Sequence, residues 1–121
     1  MPSSPPDPVL LATATEIVLR AGDIQLRGQA SGFRVQKKGT IDLVTEIDLE
    51  CERMCRAILG ERFPDHEILA EEFGGATQPS ASPYRWIFDP VDGTTNYAHG
   101  LPIFCASLGL EIDGERAVAA V

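Results

Sequence analysis

Long apolar runs are missing from this sequence, and their absence excludes a membrane-spanning helix first. No window reaches the roughly 18 consecutive apolar residues that such a helix needs. The richest stretch, Val9 to Leu19, is interrupted by Thr13, Thr15 and Glu16. No basic residue precedes it, so it makes a poor secretion signal, and a cytoplasmic location is expected. Basic residues are scarce, 10 against 18 acids, for a formal charge of −8. Nucleic acid demands a basic face, so neither it nor a membrane is expected as a partner. Cysteine is sparse too: Cys51, Cys55 and Cys105 are odd in number and form no CxxC pair. That argues against a redox or zinc role. Cys51 and Cys55 share a face if their segment is helical, which reads as packing.

What remains is the composition of an ordinary folded domain. Apolar residues make up 44% of the 121 and charged residues 23%, enough to build one core. Residues 1–6 (MPSSPP) have nothing to bury and are expected to form a disordered tail, with residues 7–121 as the domain. Asp7-Pro8 reads as a helix start, an acidic N-cap followed by proline in the first turn. Leu10, Ala14, Ile17, Ala21 and Ile24 follow at helical spacing, with Leu11 and Val18 widening the stripe. This helix is expected to end near Gly28 to Gly32. Gln36-Lys37-Lys38-Gly39-Thr40 reads as an exposed turn. Thr45 with Asp48 resembles a capping box ahead of a second helix. Its buried side is Ile47, Cys51, Met54, Cys55, Ile58 and Leu59, and Gly60 and Pro64 close it.

Strands follow the helices. Ile68-Leu69-Ala70 reads as a short buried strand ending at Glu71-Glu72, and residues 74–83 as a flexible connection. Arg85 to Phe88 reads as a second strand, stopped at Asp89-Pro90 because proline has no N–H for a ladder. Phe104 to Ile112 and Glu115 to Val121 flank Asp113-Gly114, a strong hairpin signal.

The stretch from Trp86 to Tyr97 (WIFDPVDGTTNY) carries most of the chemistry. Asp89 and Asp92 leave a strand tip together, and Pro90 stiffens the link between them. Gly93 permits close backbone approach, and Gly93-Thr94-Thr95 can open a helix whose free N–H groups suit phosphate. Carboxylates beside such a helix start would repel phosphate unless hard cations such as Mg²⁺ lay between them. Taken singly, Asp92 is equally readable as an N-cap and Asp89 as a turn residue.

The whole string closely resembles the signature of the inositol monophosphatase family, an Asp-Pro-aliphatic-Asp-Gly-Thr core after an aromatic-apolar strand. Glu71-Glu72 resembles that family's paired-glutamate element, although Ala70 stands where many members have glycine. Asp42-Leu43-Val44-Thr45 followed by Asp48, and Lys37 before them, fall in the matching order. The resemblance implies that Glu71, Asp89 and the Val91 carbonyl bind a first Mg²⁺. Asp89 would bridge to a second ion held by Asp92. The Gly93 and Thr94 N–H groups, with Thr95 beside them, would hold the phosphate. Thr94, with Asp48 and Glu71, would serve the attacking water, in a two-metal displacement. Glu72 and Lys37 have simple solvation as their other reading. Asp48 is also a favourable helix-start residue, and His99 a favourable helix-end residue.

Members of that family are longer, and their carboxyl-terminal part supplies a further aspartate in a Trp-Asp element. Trp86 is the only tryptophan here and no such element follows, so the chain is expected to be the amino-terminal portion of a longer phosphatase. The fold expected is α+β, two helices on a mainly antiparallel sheet, as part of a layered α-β-α-β-α sandwich of the inositol monophosphatase/fructose-1,6-bisphosphatase type. The activity implied is Mg²⁺-dependent hydrolysis of a small phosphate monoester, inositol monophosphate first, by a homodimer in its full-length form. Relatives with the same core act on fructose 1,6-bisphosphate, histidinol phosphate or 3′-phosphoadenosine nucleotides. A non-catalytic interaction protein that keeps the fold is the alternative from another class.

Overall fold

Asp7 sets the start of the first helix through two bonds. Its Oδ1 accepts from the Val9 N–H at 3.0 Å, and its carbonyl from the Leu10 N–H at 2.9 Å. This satisfies two of the donors that every helix start leaves open. From there α1 (Pro8–Ser31) runs 24 residues. The computed structural model describes residues 7–31, 35–38, 42–70, 82–92 and 105–121. The expected tail at residues 1–6 and the connection at 74–83, apart from Ser82 and Pro83, lie outside them.

The expected stripe is the buried one: Leu10, Ala14, Ile17, Val18, Ala21 and Ile24 all lie in the core. Leu11 is a correction, because it is 51% exposed on the outer face beside Leu19. At 100° per residue it falls too far around the cylinder to reach the sheet.

A second correction concerns the expected turn at Gln36 to Thr40. Val35–Lys38 forms β1, paired antiparallel with β2 (Asp42–Thr45), with Lys37 opposite Leu43. Cross-strand backbone pairing outweighs the weak strand preference of Gln and Lys. Helix α2 (Glu46–Arg62) starts immediately after β2, so Thr45 directly precedes the helix and Asp48 lies in its first turn. The helix passes Gly60 and ends two residues later, where Phe63 N–H donates to the Leu59 carbonyl at 2.7 Å. Cys51, Cys55 and Leu59 are fully buried, and Glu52, also buried, pairs with Arg56 Nε at 3.1 Å.

The main sheet has the order β3-β4-β5-β6, from β3 (Glu67–Ala70), β4 (Tyr84–Asp92), β5 (Cys105–Ile112) and β6 (Glu115–Ala120). It is mixed: β3 runs parallel to β4, and the other two pairings are antiparallel. Side chains alternate along each strand, as a pleat requires. Trp86, Phe88, Ala106, Leu108, Leu110 and Val118 turn toward the helices and are buried, whereas Ile87 faces away and is 41% exposed. Helix α1 lies over β5 and β6, and α2 over β4. The expected hairpin is present, with Asp113 at φ 54° and Gly114 at φ 81°. Positive φ at both central residues is the primed turn whose twist matches paired strands.

Strand β4 does not stop at Asp89, as expected, but continues through Pro90 to Asp92. Its register explains how. Asp89 faces Ser107 and Asp92 faces Cys105, so two β4 residues oppose Ala106 alone. That is a bulge, and a proline inside it removes no ladder bond.

Candidate active site

Of the candidate acids, Asp48, Asp89 and Asp92 lie on described elements. Ala70, the last residue of β3, lies opposite Phe88 of the parallel neighbour β4. Asp89 is the next residue of β4. Asp89 is half-buried, beside Ser107 of β5. Asp92 closes β4 after the bulge, opposite Cys105. Glu71, Glu72, Gly93, Thr94, Thr95 and His99 lie outside the described residues. Among the described residues, no three His, Cys, Asp or Glu side chains gather as a metal site. The donors expected here are carboxylates and one backbone carbonyl, hard oxygens that suit Mg²⁺ rather than zinc.

Asp48 sits in the first turn of α2 and is only 1% exposed. The partial positive charge of a helix start favours a carboxylate there. That placement satisfies its helix-start reading and leaves it under the sheet's helical layer, since α2 packs on β4.

The cysteines are poor nucleophiles in this setting. Burial, reinforced by Asp48, pushes the Cys51 thiol up to about 12, and burial likewise pushes Cys55 up to about 12. A thiolate is the reactive form, so both thiols are inert at neutral pH. Cys51 Sγ instead donates weakly to the Ala21 carbonyl at 3.8 Å, joining α2 to α1.

Two features escaped the reading of the sequence. Gln25 is buried in the α1 face, and its Nε2 donates to the Pro90 carbonyl at 2.7 Å, across 65 residues. The available signal was a glutamine four residues after Ala21, inside the apolar stripe. The other is His66, which stacks with Phe63 at 4.7 Å and with Tyr84 at 4.3 Å. Trp86 Nε1 donates to its Nδ1 at 2.9 Å. This bond links the residue before β3 to β4 and requires Nδ1 to be unprotonated. Burial holds the His66 pKa below its ordinary value, with Asp65 opposing.

Among the described residues no helix is long and apolar enough to cross a membrane. Residues 8–121 match the model of the inositol monophosphatase family. An inositol monophosphatase of Mesembryanthemum crystallinum is 43% identical over 105 residues, which are 84% of this chain and 38% of the relative. The structure of a Thermotoga maritima IMPase superposes with a TM-score of 0.77 at 36% identity, covering 89% of this chain and 41% of that one. An IMPase/NADP phosphatase complexed with Mg²⁺ and phosphate superposes at 0.70 with 27% identity, covering 81% and 38%. The chain thus spans about two-fifths of the length of the curated relatives it matches.

Proposed function

The chain belongs to the inositol monophosphatase family, and from that premise we propose that it contributes the metal-binding portion of a Mg²⁺-dependent phosphate monoesterase. The observation that carries this proposal is the pairing of β3 with β4. β3 ends at Ala70 opposite Phe88, so the strand that precedes Glu71 in sequence runs beside the one that carries Asp89 and, three residues further on, Asp92.

In this proposal Glu71, Asp89 and the Val91 carbonyl hold the first cation, and Asp89 and Asp92 hold a second. Mg²⁺, when bound, supplies a more acidic water and offsets charge on the phosphate. The protein's own work is positional. Gly93 and Thr94 offer backbone N–H groups to phosphate oxygens, with Thr95 beside them. Thr94 Oγ1, Asp48 and Glu71 orient the water for in-line attack. Inositol monophosphate is the first candidate substrate, because Gly-Thr-Thr-Asn-Tyr most resembles that branch of the family. A cytoplasmic location and a homodimeric full-length form belong to the same proposal.

Cation titration of the 121-residue chain by calorimetry tests the metal site. Weak Mg²⁺ or Ca²⁺ binding is expected, abolished by Asp89→Asn and nearly intact in Lys38→Ala. A phosphate-release panel with Mg²⁺ on the intact protein tests the reaction. Release from inositol monophosphate is expected, and little or none is expected from the 121-residue chain alone. An intact protein that neither binds Mg²⁺ nor releases phosphate sinks the proposal and favours a non-catalytic interaction role.

A further inference from the structure

The bulge in β4 creates a problem that α1 solves. Pro90 has no N–H, and its position opposite a skipped register takes its carbonyl off the β4–β5 ladder. The residue is nonetheless fully buried. A buried carbonyl without a partner is costly, so the site needs a donor from elsewhere in the fold. Gln25 supplies it: its side chain is 2% exposed, and its Nε2 stands 2.7 Å from the Pro90 oxygen. An apolar residue at this point of the stripe would fill the volume but leave the carbonyl without this bond.

We propose that Gln25 is a positioning residue for the cation site, acting through the Pro90 carbonyl on the Asp89–Asp92 bulge. The inference rests on the metal-site assignment above. Pro90 lies between Asp89 and Asp92, and its carbonyl immediately precedes that of Val91. Peptide planarity leaves two soft torsions between successive carbonyls, and proline fixes one further torsion. Pinning the Pro90 oxygen therefore restricts how the Val91 carbonyl and the two flanking acids can be presented. Groups that orient metal ligands typically alter affinity when lost, even though they never touch the ion. Gln25 plays that part from a helix 65 residues away in sequence.

The test uses the 121-residue chain with Mn²⁺ as the probe, followed by the ion's paramagnetic resonance signal. Gln25→Met keeps the volume and removes the donor, and about a tenfold loss of Mn²⁺ affinity is expected. Gln25→His retains an N–H at similar reach and is expected to keep most of the affinity. Ile17→Val trims the same buried helix face about two turns before Gln25 and is expected to lower thermal stability without changing Mn²⁺ binding. A second measurement needs no variant. On Mg²⁺ titration, the Gln25 side-chain amide resonances should shift, and those of Gln29 should stay in place. Unchanged Mn²⁺ affinity in Gln25→Met overturns the inference, as does an equal loss in Ile17→Val. Silent Gln25 amide resonances in a chain that binds Mg²⁺ also overturn it, even should Gln25→Met fail to fold. A wild-type chain that ignores both ions overturns the metal-site assignment and the inference together.

Discussion

The chain contains two Asp-Gly pairs, and the fold treats them differently. Asp113-Gly114 reverses the chain between β5 and β6, with both residues at positive φ and Ile112 paired directly to Glu115. Asp92, by contrast, ends β4 behind a bulge, and Gly93 follows it. The dipeptide is the same, so its neighbours decide the outcome. Around Asp113 two alternating apolar strands arrive in register, and a tight turn is the only local way to join them. Before Asp92 stands Pro90, which leaves the ladder and is held by a side chain of α1. One pair is a structural corner; the other carries a carboxylate proposed for chemistry.

Asparagine substitution gives the largest expected separation of the two. Asp92→Asn should remove the second cation's response in a Mn²⁺ titration, because one of its two carboxylates in this chain is lost. Asp113→Asn should leave that titration unchanged, since Asn tolerates positive φ at least as well as Asp. Equal losses in the two variants would mean that the pairs do not differ in the way described.

Alanine scanning of glycine sharpens the structural half. Gly114→Ala should cost about 1 kcal/mol in urea melts, because φ of 81° is unfavourable with a Cβ. No atom lies within 4 Å of that Cβ, so the whole cost is backbone strain. Gly22→Ala has equal room on helix α1 and should stabilise by about 0.5–1 kcal/mol. The same substitution thus changes sign between a corner and a helix.

The smallest expected effect is a pH dependence that belongs to neither pair. The folded state lowers the His66 pKa, chiefly by burial, so the unfolded chain binds the proton more readily. The stability this contributes is fully present above about pH 6.5, the ordinary histidine value. It is lost as pH falls from there through the folded pKa, and the bond from Trp86 Nε1 breaks with it. His66→Gln, which can still accept from Trp86, should flatten the slope of urea stability between pH 7 and 5. An unchanged slope would assign the acid loss to carboxylates instead.

Elements defined by short-range pattern were legible from the sequence. The α1 stripe, the Asp7 cap and the Asp113-Gly114 hairpin each depend on residues a few positions apart. The Cys51 and Cys55 packing assignment belongs with them, because four-residue spacing puts both on one helix face. Pairing at a distance decided two other segments. Gln36 to Lys38 look like a solvated turn until β2 offers its backbone edge. Pro90 looks like a stop until the register of β5 shows the skipped position that accommodates it. Leu11 has the polarity of a core residue, but its angle around the helix turns it outward.

The chemistry-bearing string from Trp86 to Tyr97, and with it the family, stood in the sequence alone, because the order of Asp, Pro, Gly and Thr along a chain is itself the signal. Which strand lies beside β4 did not. The parallel pairing that sets Ala70 against Phe88 joins segments 18 residues apart in register. The bond from Gln25 to Pro90 spans 65. Contacts of that separation arise only when helices and sheet close on one core, since no local preference of glutamine specifies which buried carbonyl it will meet.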